Sequence, residues 1–404
     1  MSASQTAGRV GGPVPRGLSR TGPVLFSYGF RPFFLGGGVW AVAAMALWIA
    51  AITGHIELAG EYGAPNWHAH EMLFGFASAV LAGFLLTAVP NWTGRLPVSG
   101  KPLGALFALW CAGRVALLMT DWIGMTAAAV IDGLFLPVLL LICTREIVAG
   151  RKWKDLKVLG ALFALSLANA LYHVAIIGGD RDEVTIRLAL SAYVVLVMIV
   201  GGRIVPSFTR NWLNKAGRTD FPTPFNRFDT AAILAGAAAL GAWTAVPTHP
   251  ATTALALLAA VLNAVRLYRW RGWTTGREKL LLVLHVAYAF IPLGLLAIAL
   301  AANGWLEERS VLHLLSVGAV AGMMLAVMTR ASLGHTGHAL TASRLTVAAY
   351  AALIACALVR PLGEVLPDMS QTIYAAAGAL WIIAFGLFCL EYAPILTRRR
   401  RTPL

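Results

Sequence analysis

LLLVLHVAYAFIPLGLLAIALAA, residues 280–302, contains no acid, lysine or arginine, and His285 is its only imidazole. As an α-helix rising 1.5 Å per residue it would reach roughly 34 Å, enough to cross a hydrocarbon core about 30 Å thick. Runs of this kind recur along the chain, near residues 33–53, 68–90, 102–119, 125–144, 157–177, 187–205, 229–247, 251–268, 280–302, 310–329, 343–360 and 370–393. The expected fold is therefore all-α: a polytopic membrane protein built as a bundle of about twelve transmembrane helices. Residues 1–32 read as a basic N-terminal arm, 33–396 as the transmembrane domain and 397–404 as a basic tail. The longest connection, about 206–228, is rich in proline and arginine and too short for a soluble domain.

The composition excludes the soluble classes. Of 404 residues, 58% are hydrophobic and 12% charged, whereas a soluble domain carries roughly 25% charged residues. The net charge of +14 would suggest nucleic acid in a soluble protein. Here the basic residues fall in alternate connections, so no nucleic-acid partner is expected and the lipid bilayer is the partner implied. With the N-terminus in the cytoplasm, 27 of the 32 lysines and arginines lie on that side, against Arg181, Arg187, Arg309 and Arg360 outside. Lysine and arginine are retained on the cytoplasmic side. This predicts N-in and C-in. Cys111, Cys143, Cys356 and Cys389 form no CxxC or CxxCH pattern and read as packing residues. No cleavable signal peptide is evident.

On this topology the histidines form two layers. His68 and His70 start the second span, His173 ends the fifth, and His313 starts the tenth, all toward the outer face. His285, His335 and His338 lie toward the inner face, and His55 and His249 sit in outer loops. Ionisable groups are costly in a bilayer and usually line functional sites, and neutral imidazole ligates haem iron and copper. A lone histidine in a span is as often a hydrogen-bonded packing residue, but four from three helices at one depth point to metal ligation.

The densest constellation is WHAHEMLF, residues 67–74. Positions two apart on a helix point about 200° apart. His68 and His70 therefore serve sites on opposite sides of the helix, or one ligates while the other hydrogen-bonds. Glu71 and Met72 share a face with His68. Glu71 is the candidate catalytic residue, orienting a ligand or relaying protons; the structural alternative is a carboxylate capping the helix N-terminus. The pattern is not HExxH, so a zinc protease is not indicated.

At these residues the chain resembles the NnrS family of bacterial membrane proteins. The matching stretches are FRPFF (30–34), HAHEM (68–72), GFLLTAVPNWTG (83–94), GGRIVP (201–206) and TRASLGHTG (329–337), spread over nearly the whole chain. The resemblance implies a protein of the bacterial inner (cytoplasmic) membrane that contains haem, of b type, and copper, and that takes part in nitric oxide handling during denitrification and nitrosative stress. The chain is also similar, more distantly, to the catalytic subunit of haem-copper oxidases and nitric oxide reductases. His68, Met72, Phe74, Gly83 and Pro90 echo that group's second helix, and His313 before Ser316 to Val320 its tenth. The spacing is offset by about one residue, and the double histidine of that group's copper helix is absent.

Candidate cofactor ligands are thus His68, His70, His173, His313 and Met72, with Arg31, Arg203 and Arg330 either meeting haem propionates or anchoring at lipid headgroups. His285, His335 and His338 make a possible inner metal site, although the two glycines around His335 weigh against a helix there. The expected function is nitric oxide metabolism, with reduction to nitrous oxide at a haem fed by an unidentified electron donor. The alternatives are a transporter or metal-handling permease, and a haem-based sensor without turnover.

Overall fold

The computed structural model describes residues 22–180 and 183–400, which are helical almost throughout and contain no strand. Most of the predicted N-terminal arm (1–21), the end of the basic tail (401–404) and Arg181 lie outside the described residues. Twelve helices are long and apolar enough to cross a membrane: α1 Phe30–Ile52, α2 Ala64–Thr93, α3 Lys101–Leu118, α4 Met125–Ala149, α5 Trp153–Ile177, α6 Glu183–Lys215, α7 Arg227–Ala245, α8 Pro250–Arg269, α9 Lys279–Ala302, α10 Glu308–Thr336, α11 Arg344–Val365 and α12 Pro367–Thr397. The protein is an all-α, multi-pass membrane protein.

Helix α6 departs from expectation by continuing through Pro206 to Lys215, which shortens the longest connection to residues 216–226. Helix α10 also outruns its predicted end. It takes in Gly334 and stops only where Gly337 turns left-handed at φ 78°, while His338 N–H closes back on Leu333 O at 3.0 Å. This is a glycine-terminated helix end, so the glycines at His335 do not prevent a helix.

Four helices form the interior. In α2, α6, α9 and α10, 67–83% of the apolar window is buried, against 28–39% in the other eight. An apolar helix can be covered by protein on all sides, whereas the outer helices turn an apolar face to lipid. Small residues permit close approach inside the bundle: Gly294 of α9 faces Leu315 of α10, and Gly318 of α10 faces Phe290 of α9. Helix α12 packs on α1 and closes the bundle. There Arg31, 4% exposed, donates to the carbonyls of Leu396 (2.6 Å) and Arg398 (2.8 Å). The first and last helices therefore meet at one face, called here the basic face. The opposite face holds the α1–α2 and α3–α4 connections.

Two interior helices carry π-helical segments, Glu71–Phe76 in α2 and Leu314–Ala321 in α10. Each begins directly after a histidine, His70 or His313. Such wide turns are uncommon and occur mostly at functional sites.

Candidate metal centre

Helices α2 to α5 bring six polar side chains together within about two turns of the face opposite the basic one. They are His70 and Glu71 of α2, Arg114 of α3, Asp132 of α4, and Asn169 and His173 of α5, all between 0 and 3% exposed. Buried groups of this kind are tolerated only when paired, and each has a partner. Arg114 bridges the two carboxylates, giving one Nη to Glu71 and the other to Asp132. Glu71 also accepts from Trp40 Nε1 at 2.6 Å. Asn169 donates to Asp132 Oδ2 at 2.9 Å and lies 2.9 Å from His70 Nε2.

The two imidazoles are oriented alike. His70 Nδ1 lies 3.0 Å from Glu71 Oε1, and His173 Nδ1 lies 3.3 Å from Tyr62 Oη. Both Nε2 atoms then converge on Asp132 Oδ2, at 3.1 and 3.0 Å. Burial holds the Tyr62 phenol well above its ordinary pKa, so it stays protonated, and its Oη can accept from His173 Nδ1–H, which leaves Nε2 free for an ion. Tyr62 ends a short turn, Gly60–Tyr62, which is fixed to the α3–α4 connection by Thr120 Oγ1 donating to Ala59 O at 3.1 Å.

His70, Asp132 and His173 offer two nitrogens and one oxygen within 4.8 Å of one another. Two imidazoles and a carboxylate suit a first-row transition ion. Separations near 3 Å are those of neighbouring ligands around an ion with bonds of about 2.0–2.2 Å. Glu71 and Tyr62, on the far nitrogens, hold the rings as partners of metal-bound histidines do. The charge count agrees. Two carboxylates and one guanidinium leave one negative charge uncompensated, and a proton or a metal cation at the Nε2 atoms cancels it.

Two expectations for Glu71 are corrected. It does not share a site with His68, because the π segment starts at Glu71 itself and rewinds the helix, so that adjacent His70 and Glu71 face one cluster. Nor does it cap the helix, which starts at Ala64 behind Gly63, nearly two turns earlier. Gly75 makes the arrangement possible: a Cβ there would strike the Glu71 carboxylate, Arg114 and Trp40.

His68 lies on the other side of α2, stacked on Trp48 at 4.4 Å and 14°. Its Nδ1 is buried with no hydrogen-bond partner among the described residues. His313 of α10 and Arg360 of α11 are within electrostatic reach of it. His313 Nδ1 lies 2.7 Å from Arg309 O, which commits that nitrogen to a backbone carbonyl and leaves Nε2 open. Met72 is half-buried against the apolar core.

The inner histidines do not converge. His285 lies 3.0 Å from Thr209 Oγ1, His335 stacks on Tyr28 at 5.7 Å, and His338 lies 2.8 Å from Thr336 Oγ1, beyond the end of α10. Among the described residues the three-residue metal group is the outer one. Arg31 spends its donors on the end of α12. Arg203 lies 3.4 Å from Asp155 and over Trp92, and Arg330 lies over Phe208.

Sequence reasoning gave no role to Arg114 and Asp132, which interrupt the third and fourth apolar spans, and it missed Asn169, Tyr62 and Trp40. The available signal was two opposite charges in consecutive spans, which a bilayer tolerates only as a pair. A second buried knot was missed in the same way. There Arg266 donates to Asp229 at 3.1 Å, Tyr288 at 2.7 Å and the Met198 carbonyl at 2.9 Å, in space left by Gly202 of the GGR stretch.

No curated protein matches the chain. The family model described as NnrS protein matches residues 24–400, a range that takes in all twelve helices and every member of the buried cluster, so the chain belongs to the NnrS family.

Proposed function

We propose that this chain is a metal-containing protein of the nitric oxide response, seated in a bacterial inner membrane with its basic face toward the cytoplasm. Family membership supports a role in the nitric oxide response. The observation that carries the metal reading is the pair of imidazoles whose far nitrogens are held by Glu71 and Tyr62 while both Nε2 atoms point at one carboxylate oxygen.

This site suits a single ion such as copper. Tyr62, Phe74 and Tyr172 surround His70 at ring-centroid distances of 5.2–6.1 Å, which leaves no room for a macrocycle. Haem iron fits the other side of α2 better, on His68 and His313. There one imidazole has an unpartnered buried nitrogen and the other is fixed through its backbone bond. The bound metals would supply redox-active centres with affinity for a small diatomic ligand.

The residues of the chain do the rest. Arg114 keeps both carboxylates in place, Glu71 positions His70, and Asp132 is shared by the two rings. Tyr62, His173, Asp132, His70 and Glu71 form a continuous hydrogen-bonded line from the loop into α2. It would carry protons from that face inward only while no ion occupies the Nε2 atoms, since an ion there replaces both bonds to Asp132. Converting two molecules of nitric oxide to nitrous oxide and water consumes two protons and two electrons, so a partner must donate the electrons.

Purified protein should contain copper and iron and show a Soret band. His173→Ala should remove the copper and spare the Soret band, whereas His313→Ala should do the reverse. A colourless, metal-free protein would sink the proposal. It would favour the second reading, a proton-coupled transporter, which buried ionisable groups in a span also support.

A further inference from the structure

At the basic face, beneath the 150–152 and 216–226 connections, lies a cavity of about 1340 Å³. That exceeds the roughly 300–1,000 Å³ usual for a small-ligand pocket. It lies between the two halves of the bundle, with walls from α1, α2 and α5 on one side and α6, α9 and α10 on the other. Its depth is apolar, reaching Phe34 and Leu284, which are no more than 1% exposed. Its lining carries seven lysines and arginines against one carboxylate, Asp155, which lies beside Arg203 at 3.4 Å.

The arginines are held by ring faces. Arg330 lies over Phe208 at 4.4 Å, Arg210 over Phe221 at 4.9 Å and Arg203 over Trp92 at 5.7 Å. A guanidinium packed against a ring keeps N–H groups available to fork onto an oxyanion. Among the described residues, neither Arg210 nor Arg330 forms an ion pair with a carboxylate, although Glu278 is within electrostatic reach of Arg330. A soluble anion needs no apolar depth, and a neutral lipid needs no excess of seven cations over one acid. An amphiphile with an anionic head satisfies both, and the membrane leaflet supplies one.

We propose that this cavity binds an acidic phospholipid, its phosphate forked by Arg210 and Arg330 and an acyl chain directed toward Phe34 and Leu284. The test uses the full-length protein in phosphatidylcholine nanodiscs, titrated with phosphatidylglycerol and read by native mass spectrometry. Phosphatidylglycerol should be retained at least ~10-fold over phosphatidylcholine. The R210Q/R330Q double variant should cut that preference at least ~5-fold. Lys101→Gln, on the same face but outside the cavity, should leave it unchanged. If the double variant fails to fold, Lys157→Gln serves instead, with a loss of about 3-fold. The proposal is overturned if cavity and non-cavity variants behave alike, if inorganic phosphate displaces the lipid completely and so marks a free-anion site, or if the cavity retains a porphyrin in place of lipid.

Discussion

Replacing Arg114 by glutamine keeps a polar side chain, shorter by about two atoms, but removes the guanidinium that bridges Glu71 and Asp132. All three residues are between 0 and 3% exposed, so water cannot take its place. Breaking a buried ion pair from one side typically costs about 3–5 kcal/mol, because a charge is left behind unpaired. Here two carboxylates are orphaned, so a loss of at least ~3 kcal/mol is expected, more than ~100-fold in the folding equilibrium. The reference variant is Arg95→Gln. It breaks a pair with Glu146 in which the arginine is 43% exposed, and it should cost no more than ~1 kcal/mol. Reversible unfolding in detergent, followed by tryptophan fluorescence, measures both. Adding Asp132→Asn to Arg114→Gln should recover part of the loss, and the double-mutant cycle reports the coupling. Equal stability of Arg114→Gln and Arg95→Gln would refute the idea that this guanidinium neutralises the cluster.

Glu71→Gln should retain most of its metal yet reduce nitric oxide consumption per metal at least ~10-fold, about 1.4 kcal/mol of transition-state stabilisation; unchanged turnover would confine Glu71 to packing. Gly75→Ala should destabilise the protein by ~1–3 kcal/mol, the usual cost of overpacking, and lower its metal content; normal content would show that the cluster tolerates a Cβ. Fusion of alkaline phosphatase after Leu404 should give no periplasmic activity, since 27 of the 32 basic residues lie on the side assigned to the cytoplasm; an active fusion would invert the topology.

The spans were legible in the sequence because a bilayer leaves few options: each polar backbone group must be satisfied within its own helix, and about 20 apolar residues are needed. Boundaries were less legible where a helix leaves the hydrocarbon, since Pro206 and Gly334 interrupt the pattern without ending the helix. At the site, His70 and His173 stood out as imidazoles in spans, whereas the carboxylate between them did not, because pairing Asp132 with Arg114 depends on how α3 and α4 rotate. The π segments were invisible for a related reason. They change hydrogen bonding by a single residue within an unbroken apolar run, and that single residue decides whether Glu71 faces His68 or His70.

The tie from Arg31 to the carbonyls of Leu396 and Arg398 orders the protein's biogenesis. Its two halves are 365 residues apart in the chain, a distance that synthesis at 5–20 residues per second covers in roughly 20–70 s. Throughout that interval α1 sits in the bilayer with its α12-facing side covered only by lipid. The bundle can close only as the last helix leaves the ribosome, so a chain truncated before Pro367 would carry all the metal-binding residues and still present an open flank to other helices in the membrane.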